Sequence, residues 1–186
     1  MVRLPGGEGV SMKLVFPNKA YEAKAKAFIQ EFWNCGSEIA GSGSLDRYLR
    51  EHTYGEWLEK VFAYMDIANL PEGKIPGLTY FCVREEDDAI VGMVNIRLAL
   101  NEFLRTEAGQ IGYCVRPSEQ RKGYGTQILK EGLAVLARLD VREVIVTCDK
   151  VNLASAGVIQ NCGGKLDAEY YSETFGEVIQ RYVIKN

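Results

Sequence analysis

The chain has 186 residues, of which 47% are apolar and 25% are charged, and its formal net charge is -3. This length predicts one domain around one core, and this composition excludes the disordered and membrane-embedded classes of protein. A slightly acidic chain without a concentrated basic face is not expected to bind nucleic acid through its phosphates, so a small ligand is the better expectation.

Histidine and cysteine usage narrows the chemistry further. Only one histidine, His52, is present, so no zinc site or catalytic arrangement that needs two imidazoles can form within the chain. The five cysteines include no C-x-x-C pair, and the sequence has neither a secretory leader nor an apolar stretch of membrane-spanning length. We therefore expect a cytoplasmic protein with reduced thiols, no bound metal and no membrane association.

Residues 1–11 are glycine-rich and aperiodic, which indicates a disordered extension or a cloning remnant before a single domain over 12–186. A short strand is predicted at 13–16. Apolar residues at helical spacing then predict two amphipathic helices, one from Tyr21 to Phe32 and one from Trp57 to Met65. A loop with proline and glycine over 70–77 follows the second helix and is expected to border a site.

Residues 78–84 and 89–98 are rich in β-forming residues and flank the acidic turn EEDD, which predicts an antiparallel hairpin. Alternation along the second strand places two sets of side chains on opposite faces. One face carries Val91, Met93, Asn95 and Arg97, and the other carries Ile90, Val94, Ile96 and Leu98. Asn95 and Arg97 make the first face polar, so we predict that they contact substrate, with Arg97 suited to a carboxylate or phosphate. A hydrogen bond or ion pair at the rim of the sheet is the alternative for both.

The second half of the chain predicts a strand–helix–strand unit, then a helix that ends at a glycine pair, and then two last strands around a turn. The predicted bounds are 109–116, 125–138, 141–149, 152–161, 165–171 and 178–184. Together these elements predict an α/β (α+β) domain in which a central, mixed, mostly antiparallel sheet is flanked by helices.

The loop QRKGYG, with Thr126 after it, joins the strand to the helix of this unit. Gly123 and Gly125 allow close approach of the backbone to a ligand, while the helix N-terminus, Arg121 and Lys122 attract an anion. The letters match neither a P-loop nor a dinucleotide-binding fingerprint, whose third glycine is replaced by Ile128. A solvated glycine turn that caps the helix is the alternative to a pyrophosphate site.

The segment IGYCVRPSEQRKGYGTQIL resembles motif A of the GNAT acetyltransferases, whose pattern is a strand, a Q/R-x-x-G-x-G/A loop and a helix. A second segment, CDKVNLASAGVIQNCGGKL, resembles motif B, in which an Asn-x-x-Ser helix closes on a glycine pair. The similarity is greatest to a group of predicted bacterial acetyltransferases that share TCDK-x-N-x-x-S and a terminal RY-x-I. It extends from about residue 45 to the end of the chain.

This resemblance implies a single GNAT-type domain with acetyl-CoA as cosubstrate. The loop amides would bind the CoA pyrophosphate, and the strand backbone before the loop would bind pantetheine. Motif B would contact the far end of the cosubstrate. The implied cofactor-binding residues are Tyr113, Cys114, Val115, Gln120, Arg121, Lys122, Gly123, Tyr124, Gly125, Thr126, Asn152 and Ser155.

The chemical groups of the reaction are less well defined by the sequence. Gln110 lies near the position where several GNAT enzymes carry a base, but an amide can only orient water or substrate. Many members place a tyrosine general acid where this chain has Ile159, so Tyr170, Tyr171 or a water would have to replace it, and Tyr170 is our candidate. Glu102 and Glu107 are candidate bases, as is Asp46, although single carboxylates in polar segments are usually only solvated charges.

The resulting hypothesis is an N-acetyltransferase that moves an acetyl group from acetyl-CoA to a primary amine of a small molecule, by direct attack in a ternary complex. A protein lysine or N-terminus is the alternative acceptor. A CoA-binding sensor without catalysis is the alternative class, because Ile159 and Gln110 replace expected chemical groups. Dimers are common in this superfamily, so the resemblance also leaves a homodimer open.

Overall fold

Two antiparallel sheets lie side by side, and helices cover both faces of the larger one. The computed structural model describes residues 11–70 and 72–186. The strands are β1 Met12–Val15, β2 Gly77–Arg84, β3 Ile90–Arg97, β4 Ile111–Val115, β5 Glu143–Asp149, β6 Lys165–Ser172 and β7 Glu177–Lys185. The helices are α1 Glu22–Cys35, α2 Leu45–Glu51, α3 Tyr54–Ala63, α4 Tyr124–Ala137 and α5 Leu153–Asn161, and a π-helical turn spans Leu104–Ala108.

The predicted extension falls almost entirely outside the described residues, which begin at Ser11. That residue is joined to the turn between β2 and β3: the Glu85 amide donates to the Ser11 carbonyl oxygen at 3.1 Å, and the Ser11 hydroxyl donates to the Glu85 carboxylate. Ser11, the last residue of the predicted extension, is therefore hydrogen-bonded to the rest of the fold.

The strand order is β1-β2-β3-β4 in one sheet and β5-β7-β6 in the other. The sheets meet where β4 and β5 begin to run together, and the Gln110 amide donates to the Ile145 carbonyl oxygen there at 2.7 Å. The prediction of a mixed α/β domain with a mostly antiparallel sheet is confirmed, but the sheet is divided between β4 and β5.

Each face of the larger sheet has its own apolar core. On one face, α4 packs Ile128, Leu129 and Leu133 against β3 and β4, and the core continues into β5 and β7. On the other face, α1 and α3 bury aromatic side chains, among them Phe28 and Trp57. Their spacing along each helix is the 3.6-residue period that the sequence displays, so burial of one helix face stabilises both layers.

The alternation predicted along β3 is wrong at its first residues. Cys82 faces Gly92 across the strand pair, but Val83 faces Ile90, so Val91 is an extra residue in a β-bulge. Before Gly92 the alternation is inverted relative to the rest of the strand, because the inserted residue moves every earlier side chain to the other face. Val91 consequently packs with Val94, and Ile90 packs with Met93.

A glycine-rich loop between α1 and α2 crosses directly over β4. Gly41 has φ +69°, and a Cβ atom there would lie 2.2 Å from the carbonyl oxygen of Gly112. Further along, the Gly43 carbonyl oxygen accepts a hydrogen bond from the Trp57 indole at 3.0 Å, and the Ser42 hydroxyl donates to Asp46 at 2.6 Å. These contacts hold the loop over the start of β4, at a distance that only glycine allows. We call this loop, residues 36–44, the roof.

Replacing Gly41 by alanine should therefore destabilise the protein more than the same change at Gly36. Both glycines have left-handed φ angles, near +69° and +62°, but nothing lies within 4 Å of a Cβ atom at Gly36. Gly36→Ala measures conformational strain alone, about 1 kcal/mol, whereas Gly41→Ala adds a backbone clash of about 1–3 kcal/mol. Urea unfolding gives both values, and equal losses would contradict this account of the roof.

Candidate active site

A cavity of about 940 Å³ opens between the parted strands β4 and β5. All of β4 lines it, together with the last three residues of β5, the loop before α4 and the start of α5. The roof loop and the turn between β6 and β7 line its other end. The cavity therefore has two halves, one at the helix N-termini and one below the roof.

The first half has the form of an anion site. Arg121 and Gly123 adopt left-handed φ angles of +61° and +88°, which turn the loop onto the N-terminus of the fourteen-residue helix α4. Nothing lies within 4 Å of a Cβ atom built on Gly123, so the space in front of the loop is open. Helix dipole, loop amides and the Arg121 charge together suit a pyrophosphate.

Most of the predicted cofactor residues line the cavity, and two do not. Gln120, Arg121, Gly123, Gly125 and Thr126 of the loop lie at its wall. Lys122 instead forms an ion pair with Glu119 at 3.0 Å, and the Tyr124 side chain is buried in the core. Only the backbone of these last two residues is available to a ligand in front of the loop.

A partly buried ion pair fixes the approach to this loop. Glu31 of α1 accepts hydrogen bonds from the Arg116 guanidinium at 2.5 Å and from the Ser118 amide at 2.7 Å. Burial raises the pKa of Glu31, but these two donors outweigh it and lower the pKa below its ordinary value. The Glu31 carboxylate is thus an ionised clamp between α1 and the segment that enters the anion site.

Backbone groups of β4 face the gap beside β5. The Arg116 amide donates toward β3, to the Val91 carbonyl oxygen at 2.8 Å. Since backbone groups alternate in direction along a strand, those of Val115 and Tyr113 point the other way. They are free to pair with an amide-bearing chain that lies in the gap, as predicted for pantetheine.

Two hydroxyl groups meet across this gap. The Tyr113 and Ser155 side-chain oxygens are 3.1 Å apart, and burial raises the pKa of Tyr113 to about 12. Asn152 caps α5, because its side-chain oxygen accepts from the Ser155 amide at 3.0 Å. The Cys148 thiol lies beside Ser155, and burial raises its pKa to about 11.

Two of the predicted substrate residues, Asn95 and Arg97, reach the cavity but also bond to neighbouring groups. Asn95 and Arg97 line the cavity, where Asn95 donates to the Thr79 hydroxyl at 3.0 Å. The Arg97 guanidinium donates to the carbonyl oxygens of Ala108 and Gly109 at 2.9 and 3.1 Å. Burial also lowers the pKa of Arg97. It therefore holds the turn before β4 as well as reaching the cavity wall.

Gln110 and Tyr170 are not brought to the cavity wall. Gln110 is 4% exposed, and its side-chain oxygen lies 3.4 Å from the Ile145 amide between the two sheets. The Tyr170 hydroxyl is buried and has no hydrogen-bond partner among the described residues, and burial raises its pKa. The residue at the family's tyrosine position, Ile159, is buried in the core.

Several cavity residues were not singled out as site residues in the sequence. They are Glu38, Asp46 and Arg47 near the roof, Glu107 in the π-helical turn, and Phe175 in the turn between β6 and β7. Asp46 and Glu107 were named only as candidate bases, and Glu102, the third such candidate, is not at the cavity wall. The glycine-rich GSGS run before Asp46 was the one local signal of a tightly packed loop.

A family model described as an acetyltransferase (GNAT) domain matches residues 16–165. The chain belongs to the GNAT acetyltransferase family. The prediction of an acetyl-CoA-dependent acyltransferase is thereby confirmed at the level of the family, and the match includes the anion-binding loop and both hydroxyl residues of the gap. No curated protein matches the chain in sequence.

Solved structures of GNAT proteins share the fold at low identity. Mycobacterium smegmatis RimJ in complex with CoA-disulfide is 15% identical with a TM-score of 0.71, over 94% of this chain and 81% of that one. RimL, a ribosomal L7/L12 alpha-N-protein acetyltransferase in complex with coenzyme A, is 17% identical with a TM-score of 0.68, over 95% and 96%. The microcin C7 self-immunity acetyltransferase MccE, in complex with acetyl-CoA and AMP, is 15% identical with a TM-score of 0.69, over 94% and 92%.

The described residues also bear on membrane spans and metal sites. Within residues 11–70 and 72–186, no helix combines the length and apolar character needed to cross a bilayer. The same part of the chain holds no group of three or more His, Cys, Asp or Glu side chains that could bind a metal ion.

Alanine at Gly123 should weaken acetyl-CoA binding at least tenfold, because its methyl group would enter the open space in front of the loop amides. Gly163→Ala is the matched control, since Gly163 has φ +85° against +88° and also has nothing within 4 Å of a Cβ atom, but lies outside the cavity lining. Calorimetric titration should show the loss only at Gly123. Equal affinity in both variants would contradict the assignment of the loop.

Removing the charge of Glu31 should lower the free energy of unfolding by about 1–2 kcal/mol at pH 7. A depressed pKa in the folded state means that the ionised group contributes stability above its unfolded pKa, and that this contribution is lost as the pH falls through the folded pKa. The difference in the free energy of unfolding between wild type and Glu31→Gln should thus be complete above about pH 5 and decrease below about pH 4. Denaturant unfolding across this pH range measures the difference. A difference that does not change with pH would contradict the role of the ionised Glu31 carboxylate.

Proposed function

We propose that this chain acetylates a primary amine of a small molecule, with acetyl-CoA as the donor and direct attack of the amine in a ternary complex. The observation that carries the proposal is the single cavity that joins the anion site at α4 to a separate half under the roof. The half at the N-terminus of α4 fits the pyrophosphate of CoA, and the half under the roof leaves room for an acceptor.

The residues that would hold acetyl-CoA are those of the loop and the gap. Loop amides from Arg121 to Thr126 suit the pyrophosphate, and the outward backbone groups of Tyr113 and Val115 suit pantetheine. When bound, acetyl-CoA supplies an acetyl thioester. An N–H group of β4 would polarise its carbonyl, and the paired hydroxyls of Tyr113 and Ser155 would donate a proton to a departing thiolate.

Direct attack is favoured over an acyl-cysteine route. Burial raises the pKa of the Cys114 thiol to about 12 and that of the Cys148 thiol to about 11, so both stay protonated near neutral pH. A cysteine nucleophile needs a depressed pKa, whereas the charges that act on these two thiols are the carboxylates of Asp46 and Asp149, which raise the pKa of each thiol further. The amine itself is therefore the nucleophile in this proposal.

A protein N-terminus is the second candidate acceptor. It is supported by the relatives RimL and a further neighbour described as modifying the N-terminal serine of ribosomal protein L7/L12. The small-molecule acceptor is supported by MccE and by a spermidine N-acetyltransferase chimera, which is 14% identical with a TM-score of 0.63. All these likenesses show the fold alone, so the acceptor has to be tested directly.

The first test is calorimetric titration with acetyl-CoA and CoA, with ATP and NAD as controls for unspecific phosphate binding. Selective binding of the CoA species, followed by thiol release with amines, is the expected result. Binding without thiol release across small amines and peptides would favour the non-catalytic sensor. Failure to bind either CoA species would overturn the proposal.

Ser155→Ala and Tyr113→Phe should each lower kcat at least tenfold while acetyl-CoA binding stays within a few-fold, because each removes one hydroxyl of the proton-donating pair. The two losses should not add in the double variant, since the hydroxyls are 3.1 Å apart and act together. Steady-state kinetics of the wild type, the two single variants and the double variant completes this double-mutant cycle. Additive losses, or unchanged kcat in Ser155→Ala, would contradict this role.

A further inference from the structure

The acceptor half of the cavity brings together one oriented carboxylate and an exposed aromatic pair. The carboxylate belongs to Glu107 in the π-helical turn. The rings belong to Phe175, which lines the cavity, and to its neighbour Phe103, which lies outside the lining. Their combination identifies both a proton acceptor and a class of substrate. This inference rests on the proposed function and deepens it.

Glu107 is held from three strands. The Ser172 hydroxyl, which is 1% exposed at the end of β6, donates to one carboxylate oxygen of Glu107 at 2.5 Å. The Thr147 hydroxyl of β5 donates to the Glu107 carbonyl oxygen at 3.1 Å. Arg97 of β3 holds the next two carbonyl oxygens of the turn. This side chain is thus fixed at the cavity wall, and its second oxygen is free of any hydrogen bond among the described residues.

The other carboxylates of the cavity are placed differently. Glu38 is exposed on the roof loop, and Asp46 is bonded by Ser42 within its own turn at the start of α2. Asp149 lies at the end of β5, where the Asn152 amide donates to its carbonyl oxygen on the cofactor side. Only Glu107 combines a position at the acceptor half with a buried donor from another element that orients its carboxylate.

The ion pairs of the chain support the same choice. Glu31, Glu119 and Asp88 are each neutralised by an arginine or a lysine within 4 Å. No lysine or arginine is ion-paired with Glu107 in the part of the chain that the structure describes. Its negative charge therefore remains available to a cation that enters the cavity.

The aromatic pair lies beside this carboxylate. Phe103 and Phe175 are 44% and 50% exposed, and their ring centroids are 6.2 Å apart. Ser172 links the two features, because its hydroxyl oxygen also accepts a hydrogen bond from the Phe175 amide at 3.1 Å. The same side chain consequently sets the position of the Phe175 backbone and of the Glu107 carboxylate.

We propose that the acceptor is a protonated primary amine carried on an apolar or aromatic group, and that Glu107 is the catalytic base. The ammonium binds the free oxygen of Glu107, and the apolar group packs on the Phe175 ring at the cavity wall. One N–H bond then breaks and an O–H bond forms on Glu107, while the electron pair stays on nitrogen and makes it nucleophilic. A small arylalkylamine and a peptide with an apolar N-terminal residue share this chemistry.

The first experiment compares Glu107→Gln with Glu102→Gln, an exposed glutamate five residues earlier that does not line the cavity. With 2-phenylethylamine as acceptor, Glu107→Gln should lower kcat/KM at least a hundredfold and leave acetyl-CoA affinity unchanged, whereas Glu102→Gln should retain wild-type kinetics. Glu107→Asp, which keeps the charge, should recover part of the loss. Activity of Glu107→Gln within threefold of wild type would overturn the role of Glu107.

The second experiment tests the substrate class and separates its two sources. Wild type and Phe175→Ala are assayed with 2-phenylethylamine, with a short peptide that starts with methionine and phenylalanine, and with spermidine as the polar control. Phe175→Ala should raise KM at least fivefold for the acceptors with apolar groups and leave that for spermidine unchanged, and the better of the two apolar acceptors identifies the source. Preference for spermidine in the wild type would overturn the apolar class.

Calorimetric binding of 2-phenylethylamine to the CoA-loaded protein provides a readout that does not depend on turnover. Binding that is lost in Glu107→Gln supports the inference even if this amine is a slow acceptor. Failure of both the small amine and the peptide to bind or react would overturn it. If the wild type does not bind acetyl-CoA, the proposed function itself is contradicted, so the two failures are distinguishable.

Discussion

The separation of β4 from β5 is the constraint on which the active site depends. Two strands that paired along their whole length would close the sheet and leave no space for a ligand. Here they are joined at one end, where the Gln110 amide bonds to Ile145, and Gly109 lies so close to β5 that a Cβ atom would be 2.8 Å from the Ile145 carbonyl oxygen. A glycine at the junction brings the strands together once, and their divergence beyond it creates the cavity.

The elements around the gap keep it open and give it two different ends. Helices α4 and α5 approach closely at Gly125, where a Cβ atom would lie 3.1 Å from Val158, and their N-termini face one end. The roof loop, pressed onto Gly112, covers the other end with polar groups. An anionic donor and a cationic acceptor would therefore meet over the same strand while each is bound by groups of opposite charge.

Sequence reasoning succeeded where the signal is local. The loop from Gln120 to Thr126, the helices with a 3.6-residue apolar period and the hairpin of β2 and β3 are each specified by neighbouring residues. It missed α2, the π-helical turn and the bulge at Val91, because these depend on packing against distant segments. The acceptor half of the cavity was not predicted, for the same reason. Its residues come from three separate segments that only the tertiary fold brings to one cavity, and they include Asp46, Glu107 and Phe175. Gln110 and Tyr170 occupy plausible strand positions, but the Gln110 side chain lies between the sheets, and the Tyr170 hydroxyl is buried away from the cavity lining.

Helix α1 connects the two ends of the cavity. Its Glu31 side chain holds Arg116 and Ser118 before the anion loop, and its last turn leads directly into the roof at Gly41. A displacement of this helix would move the anion site and the roof together. If binding at one end displaced the helix, it would change the free energy of binding at the other end. By thermodynamic reciprocity, the donor would then alter affinity for the acceptor by the same factor as the acceptor alters affinity for the donor.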